Sequence, residues 1–236
     1  MNVIVTGSSK GIGRAIAEKF AAAGHQLYLC ARDEVQLKAT ATALQQDFPA
    51  STIKVLSADI SQKVEAIRFA DWVLQETAAS GGPEILVNNA GTFIPGSIKD
   101  EEDGTLEKML AINLYSAYHT TRALLPRMIA RGRGHIFNLC SIASLHAYNN
   151  GGAYSISKFA LLGFSRNLRE ELKPHGIKVT AVMPGAVYTD SWKESGIPAQ
   201  RMIEAADIAT LVYTATTLSP QATIEDIVIR PQPGDL

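Results

Sequence analysis

The chain has 236 residues, of which 46% are hydrophobic and 19% charged, and its 22 basic and 23 acidic side chains leave a formal net charge of −1. This length suits one large domain or two small ones, and the balanced charge excludes a strongly basic surface for nucleic acid or anionic lipid. No run approaches the roughly 18–20 apolar residues of a membrane span, so we expect neither a nucleic-acid nor a membrane partner. The 2 cysteines are too few for a disulfide framework or a metal site, which favours the reducing cytoplasm.

Short β-branched segments alternate along the chain with longer segments of helical periodicity. The predicted strands are Asn2–Thr6, Gln26–Ala31, Ile53–Ala58, Ile85–Asn88, His135–Cys140, Lys178–Met183 and Asp226–Arg230. The predicted helices are Gly11–Ala23, Glu34–Phe48, Lys63–Ser80, Leu106–Arg131, Tyr154–Lys173 and Ala206–Leu218. Strands separated by helices of this length form a parallel sheet with helices on both faces. We expect one doubly wound α/β domain over residues 1–236, with about seven parallel strands and a substrate loop around residues 188–203.

The first predicted strand runs directly into a glycine-rich turn, T-G-S-S-K-G-I-G at residues 6–13. Gly7, Gly11 and Gly13 let the backbone turn tightly and approach a ligand, and N–H groups at the start of the next helix favour a pyrophosphate. The spacing G-x-x-x-G-x-G differs from the dinucleotide fingerprint G-x-G-x-x-G, and alone it also fits an ordinary strand–helix turn. Its place after the first strand of a doubly wound sheet favours nucleotide binding.

Tyr154 and Lys158 lie four residues apart in a predicted helix and therefore share one face. A phenol with a pKa of about 10 is a poor acid or base at neutral pH, and a neighbouring ammonium lowers that pKa. The pair suits proton transfer at a carbonyl, although the same spacing is common on ordinary amphipathic helices. Residues 155–158 also spell S-x-x-K, the signature of penicillin-recognising hydrolases, but the companion triplets S-D-N and K-T-G do not occur in the sequence.

Four motifs in order resemble the short-chain dehydrogenase/reductase family over nearly the whole chain. They are T-G-S-S-K-G-I-G at residues 6–13, N-N-A-G at 88–91, Y-S-I-S-K at 154–158 and P-G-A-V-Y-T at 184–189. The resemblance implies a Rossmann-type oxidoreductase that uses a nicotinamide dinucleotide. It also implies a homodimer or homotetramer, and the two long helices Leu106–Arg131 and Tyr154–Lys173 carry surplus apolar positions for such an interface.

The same resemblance implies a catalytic tetrad of Asn113, Ser141, Tyr154 and Lys158. Tyr154 is the general acid–base, and Lys158 lowers its pKa and binds the ribose. Ser141 positions the carbonyl, and the nearby Ser144 is the residue that could be confused with it. Asn113 holds a water that links the lysine to solvent.

Cofactor preference depends on the end of the second strand. Asp33 lies 20 residues after Gly13, which superficially favours NAD, but the position of the NAD-selecting acid of the family is occupied by Ala31. We interpret Asp33 as a helix N-cap, and Arg32 with Lys10 as the basic pair that binds a 2′-phosphate. We therefore expect NADP(H) in preference to NAD(H). The expected cofactor-binding residues are Gly7, Ser9, Lys10, Gly11, Ile12, Gly13, Arg32, Asp59, Ile60, Asn89, Ala90, Gly91, Tyr154, Lys158, Pro184, Gly185, Val187 and Thr189.

The expected reaction transfers a hydride between the nicotinamide and a small ketone, aldehyde or secondary alcohol. The side chains expected to wall the substrate pocket are His146, Tyr148, Asn149, Asn150, Tyr188 and Trp192. No basic cluster stands there to dock an acidic carrier, which disfavours a 3-oxoacyl-carrier reductase. That reductase is kept as an alternative, and a non-catalytic dinucleotide-binding redox sensor is another.

Overall fold

The computed structural model describes residues 1–189 and 196–236. The strands in these ranges are β1 (Asn2–Thr6), β2 (Gln26–Ala31), β3 (Thr52–Ser57), β4 (Ile85–Asn88), β5 (Gly134–Leu139), β6 (Ile177–Pro184) and β7 (Asp226–Ile229). The α-helices are α1 (Gly11–Ala22), α2 (Glu34–Asp47), α3 (Lys63–Thr77), α4 (Thr105–Leu110), α5 (Ser116–Arg131), α6 (Gly152–Leu172) and α7 (Ala205–Thr217). No helix within the described ranges is long and apolar enough to cross a membrane.

Within the described residues, the strands form one seven-stranded sheet in the order β3-β2-β1-β4-β5-β6-β7, and every neighbouring pair is parallel. The chain builds outward from β1 to β3 and then returns to place β4 on the other side of β1. The direction of winding reverses there, and ligands of such sheets bind outside the carboxyl ends of the strands at this point. The predicted fold class is confirmed.

Helices cover both faces of the sheet, and the alternation along β1 shows why. Val3 and Val5 point to one core and Ile4 to the other, because successive side chains of a strand face opposite sides. The first core is filled from α1, α2 and α7 by Ile16, Phe20, Leu37, Leu44, Ile208 and Val212. The second is filled from α3, α5 and α6 by Phe69, Val73, Leu124, Met128, Leu168 and Leu172. Strands buried on both faces account for the continuous apolar runs of the sequence.

A buried polar chain fixes α5 and α6 to the middle of the sheet. The amide Nδ2 of Asn88 in β4 donates to Thr121 Oγ1 at 2.9 Å and to Asn138 Oδ1 in β5 at 2.8 Å. Asn138 Nδ2 in turn donates to Ser165 Oγ of α6 at 2.8 Å. Buried amides that bond to one another favour one arrangement of the packed elements, although Asn88 Oδ1 itself has no hydrogen-bond partner among the described residues. This hydrogen-bond network therefore helps to fix the position of α6, which carries Tyr154 and Lys158, on the sheet.

The single helix predicted over Leu106–Arg131 is interrupted. Residues Ala111–Tyr115 form a π-helical turn between α4 and α5. The chain stays helical through a π turn, so the predicted helix has the right extent but its sequence does not mark the turn. The turn contains Asn113, one of the residues assigned to the tetrad.

The buried His135 makes the free energy of unfolding depend on pH. The imidazole is buried in β5, stacks on Phe137 with ring centroids 3.9 Å apart, and bonds Thr180 Oγ1 through Nε2 at 2.7 Å. Burial lowers the pKa of His135 from 6.5 to about 3. The unfolded chain therefore binds a proton as pH falls below about 6.5, whereas the folded chain does not until about pH 3. The free energy of unfolding consequently decreases with falling pH across that window.

We expect this group to lower the free energy of unfolding by about 2 kcal/mol between pH 7 and pH 5. Urea unfolding at the two pH values measures the loss, and it should shrink by that amount in His135→Gln, which keeps an N–H donor. The exposed His175→Gln is the matched control. Equal pH dependence of the wild type and His135→Gln would contradict the assignment.

Candidate active site

A cleft of about 990 Å³ opens at the carboxyl end of the sheet. The predicted site residues that line it are Gly7, Ser9, Lys10, Gly11, Ile12, Arg32, Asp59, Ile60, Asn89, Ala90, Gly91, Ser141, Tyr154, Lys158, Pro184, Gly185, Val187 and Thr189. Among the described residues assigned to the site, Gly13 and Asn113 do not line the cleft. Residues from distant parts of the sequence thus share one wall, because the parallel strands end at the same edge.

Gly13 is tightly packed behind the cleft, and its assignment as a cofactor contact stays a prediction. A Cβ at Gly13 would lie 2.4 Å from Gly7 O and 2.4 Å from Asn89 Nδ2. Asn89 Nδ2 donates to the carbonyls of Thr6 and Gly7 at 2.9 Å each, so the N-N-A-G segment holds the glycine turn in place. Gly7 has φ +63°, and a Cβ at this position would lie only 2.9 Å from Ala90 Cα. A glycine therefore allows the turn to approach Ala90 closely.

The far end of the cleft has the residues expected to select the nucleotide. Arg32 and Lys10 are exposed on its rim. Asp33 Oδ1 accepts a hydrogen bond from Gln36 N at 3.0 Å, which confirms Asp33 as the N-cap of α2. Asp59 Oδ1 accepts from Ser61 Oγ at 2.7 Å, so this carboxylate also shapes the turn after β3. The Asp59 carboxylate is therefore held in place, and its expected contact with the cofactor stays a prediction.

Ser141, Tyr154 and Lys158 meet at the other end of the cleft. Lys158 Nζ is buried, donates to Leu139 O at 2.7 Å and lies 5.8 Å from the centre of the Tyr154 ring. Ser141 Oγ accepts from Ala143 N at 3.1 Å and also bonds the Tyr154 phenol. Ser144 Oγ instead accepts from Ser141 N at 3.2 Å and is buried in the turn. The geometry therefore distinguishes Ser141 from Ser144 as the residue that faces Tyr154.

Burial shifts the pKa values of Tyr154 and Lys158 in opposite directions. Burial raises the pKa of the Tyr154 phenol above 10, and the hydrogen bond with Ser141 only partly opposes that rise. The net shift of the Tyr154 pKa is therefore upward, opposite to the direction that the spacing to Lys158 predicts, and a lowering contribution from Lys158 stays a prediction. Burial also lowers the pKa of Lys158 from 10.5 to about 8. At neutral pH the phenol is a protonated donor beside a charged ammonium.

Asn113 acts from behind the wall of the cleft. Its Oδ1 accepts from Thr92 N at 2.8 Å, and its Nδ2 donates to Thr92 O at 3.1 Å and to Ser157 Oγ at 2.9 Å. A Cβ at Gly91 would lie 3.2 Å from Asn113 Oδ1 and 3.6 Å from Lys158 Nζ. Asn113 therefore joins the segment after β4 to α6, and its role in a water relay stays a prediction.

Only some of the side chains expected to line the substrate pocket lie in the cleft. His146 and Tyr148 line the cleft, whereas Tyr188, Asn149 and Asn150 are described residues that do not. Trp192 and residues 190–195 of the expected loop lie outside the described residues.

Sequence reasoning missed several lining residues. Phe93 packs edge-on against Tyr154 with ring centroids 4.8 Å apart, and its place two residues after N-N-A-G was the available signal. Arg230 and Asp235, an ion pair after β7, also line the cleft. No periodicity or motif marks that segment.

Comparisons relate the chain to known proteins. A profile described as short chain dehydrogenase matches residues 1–198. An uncharacterized oxidoreductase of Staphylococcus aureus is 30% identical over 228 residues, which cover 97% of this chain and 96% of that protein. A solved metagenomic short-chain oxidoreductase in complex with NADP is 33% identical at a TM-score of 0.84. The match covers 98% of this chain and 97% of the oxidoreductase chain. L-Sorbose reductase from Gluconobacter frateurii, complexed with NADPH and L-sorbose, is 27% identical at a TM-score of 0.85, covering 98% and 95%.

Proposed function

The chain belongs to the short-chain dehydrogenase family of oxidoreductases, and we propose that it uses NADP(H) in preference to NAD(H) to interconvert small uncharged ketones or aldehydes with their alcohols. One observation carries this proposal. A single cleft has a glycine turn and Arg32 at one end and the Ser141, Tyr154 and Lys158 side chains at the other. The NADP and NADPH complexes of the similar structures support the choice of cofactor.

The residues present fit a dinucleotide. The glycine turn at the start of α1 provides close backbone approach and N–H groups for a pyrophosphate. Arg32 and Lys10 would bind the 2′-phosphate, and Asp59 with Ile60 would border the adenine. Residues near the Tyr154 end would hold the nicotinamide half: Asn89, Ala90, Gly91, Lys158, Pro184, Gly185, Val187 and Thr189. The nicotinamide, when bound, supplies or accepts the hydride.

We expect Arg32→Ala to weaken NADPH binding by about tenfold to a hundredfold, because the charge-assisted bonds of a guanidinium to a phosphate are lost. The dissociation constant of NADH, which lacks that phosphate, should stay within about twofold. Fluorescence titration of both cofactors measures the two values. Lys38→Ala, which removes an exposed cation paired with Glu34 on α2, is the matched control. Equal weakening of NADH and NADPH would contradict the assignment of Arg32.

The protein side chains move the proton and hold the carbonyl. Tyr154 donates its phenolic proton to the substrate oxygen during reduction, and its raised pKa keeps that proton in place at neutral pH. Ser141 Oγ bonds the same oxygen as negative charge develops on it. The Lys158 ammonium, 5.8 Å from the ring, stabilises the phenolate that remains. These three groups supply orientation and a proton path.

The lining of the substrate end favours an uncharged carbonyl of modest size. Phe93, Ile112 and Ile142 provide apolar surface, and His146 and Tyr148 provide polar edges. In the described part of the cleft the cationic side chains are Lys10, Arg32, Lys158 and Arg230, and the last is ion-paired with Asp235. An acidic carrier protein therefore finds little attraction there.

A substrate panel with NADPH tests the proposal. It contains small ketones, aldehydes, diketones and 3-oxoacyl thioesters, and the alcohol product is identified for each. We expect the highest kcat/KM with an uncharged small ketone or aldehyde. A strong preference for the thioesters would instead assign the 3-oxoacyl reductase function, and binding of NADPH without turnover would assign a redox sensor. A cytoplasmic location is part of the same proposal.

We also propose a homodimer or homotetramer that buries one face of α5 and α6. Tyr115, in the turn that precedes α5, and Ile156 and Phe159 on α6 expose 47%, 40% and 44% of their surface, which leaves aromatic and apolar side chains available for such an interface. Phe159→Glu should convert the oligomer to monomers, as measured by light scattering at micromolar concentration. Val35→Glu, on exposed α2, is the control. A monomeric wild type would refute the proposal.

A further inference from the structure

Helix α6 begins without a capping side chain of its own. Its N-cap residue is Gly151, which has no side-chain acceptor, and the first N–H groups of a helix lack intrahelical partners. A glutamate 52 residues earlier fills that role, since Glu101 Oε2 accepts from Ala153 N at 3.1 Å. Ala153 directly precedes Tyr154. The carboxylate of Glu101 is therefore bonded to the turn of helix that carries the proposed proton donor.

The contact between this glutamate and the helix is tight. Gly152 has φ +33°, and a Cβ there would lie 2.7 Å from Glu101 Oε2 and 2.5 Å from Gly96 O. Gly96 N also donates to Asn150 O at 3.2 Å. The segment 92–104, which connects β4 to α4, thus packs against the start of α6 at Gly96 and at Glu101. Movement of either partner displaces the other.

The same segment carries a wall of the substrate end. Phe93 packs edge-on against the Tyr154 ring at an interplanar angle of 78°. Thr92, just before it, is held on both its N–H and its C=O by the Asn113 amide. The segment is consequently anchored near its start by Asn113 and near its end by Glu101, with Phe93 and Tyr154 in contact between the two anchors.

We propose that Glu101 is a positioning residue for Tyr154. It does not touch the reacting atoms, and this inference rests on the proposed function. The Glu101 carboxylate holds the first turn of α6 and the 92–104 segment together, and so fixes the Tyr154 hydroxyl relative to Ser141. Without it the first turn frays, and the hydroxyl is no longer held at hydrogen-bond distance from the substrate oxygen.

Steady-state kinetics of Glu101→Ala and Glu101→Gln test the proposal. We expect kcat of Glu101→Ala to fall roughly tenfold or more, because small misplacements of catalytic groups are costly. The dissociation constant of NADPH should stay within about twofold, since the nucleotide end of the cleft is remote from this contact. Glu101→Gln keeps an oxygen acceptor and should lose only about threefold, as a neutral bond replaces a charge-assisted one. Glu102→Ala, a neighbouring exposed glutamate, should match the wild type.

The possible results distinguish a failure of this inference from a failure of the proposed function on which it rests. Wild-type enzyme without turnover would overturn both. Turnover by the wild type that Glu101→Ala leaves unchanged would overturn only the role of Glu101. Equal losses of kcat and of NADPH affinity in Glu101→Ala would indicate general damage to the fold and would also overturn it. If Glu101→Ala does not fold, Glu101→Gln provides the test. A threefold loss of kcat at unchanged NADPH affinity would support the proposal, and a wild-type kcat in that variant would contradict it.

Discussion

Tyr154→Phe should lower kcat about 10²–10⁴-fold while leaving the dissociation constant of NADPH within about twofold. The substitution removes only the hydroxyl. The Phe93 ring keeps its edge-on partner at 4.8 Å, and Lys158 keeps its bond to Leu139 O, so the wall of the cleft stays intact. The loss therefore reports the proton transfer itself. Initial rates with the best carbonyl substrate and a titration of NADPH measure the two quantities.

Tyr213→Phe is the matched control for that loss. Tyr213 packs against Phe20 on the α1 and α7 side of the sheet, with ring centroids 5.3 Å apart, and removal of its hydroxyl should leave kcat unchanged. Near-normal turnover by Tyr154→Phe would remove Tyr154 from the role of proton donor.

Lys158→Met should change activity and stability in opposite directions. We expect kcat to fall about 10²–10³-fold, because the charge that stabilises the phenolate is lost. The free energy of unfolding at neutral pH should nevertheless rise by about 2 kcal/mol. Burial lowers the pKa of Lys158 from 10.5 to about 8, so holding it charged costs about 3 kcal/mol below pH 8, and the lost bond to Leu139 O offsets about 1 kcal/mol of the gain.

The pH dependence of stability provides a separate check on Lys158. Between about pH 8 and 10.5 the unfolded chain binds a proton at this lysine that the folded chain has released, so wild-type stability gains from this group as pH rises. Lys158→Met should lack that gain. Lys178→Met, which removes an amine bonded to Ser219 O outside the cleft, should retain it together with full activity. A destabilised Lys158→Met variant with wild-type pH dependence would show that the charged Lys158 does not cost the fold stability.

The sheet was predictable because its strands are buried on both faces. Val3-Ile4-Val5 and Leu27-Tyr28-Leu29 are short continuous runs without the polar face of an amphipathic helix. The structure has a strand at each of them. The cap at Asp33 was predictable for a similar reason, since its signal lies within the next three residues. The site residues that come from contiguous motifs share this local character.

Other features depend on distances that a sequence does not contain. Glu101 and Ala153 are 52 residues apart, and neither lies in a motif that names the other. Gly13 occupies a motif position, yet only the approach of Asn89 shows how tightly it is packed. The raised pKa of Tyr154 likewise follows from burial in the assembled cleft, whereas the spacing to Lys158 alone predicts the opposite direction.

We propose above that this cleft performs carbonyl chemistry with NADP(H). The most direct measurement is the initial rate of NADPH consumption by the wild-type protein, with and without each carbonyl of the panel, and with NADH in parallel. We expect consumption that requires a carbonyl and is faster with NADPH than with NADH at equal cofactor concentration. Tight binding of NADPH with no carbonyl-dependent consumption across the panel, or a higher kcat/KM with NADH, would contradict the proposal.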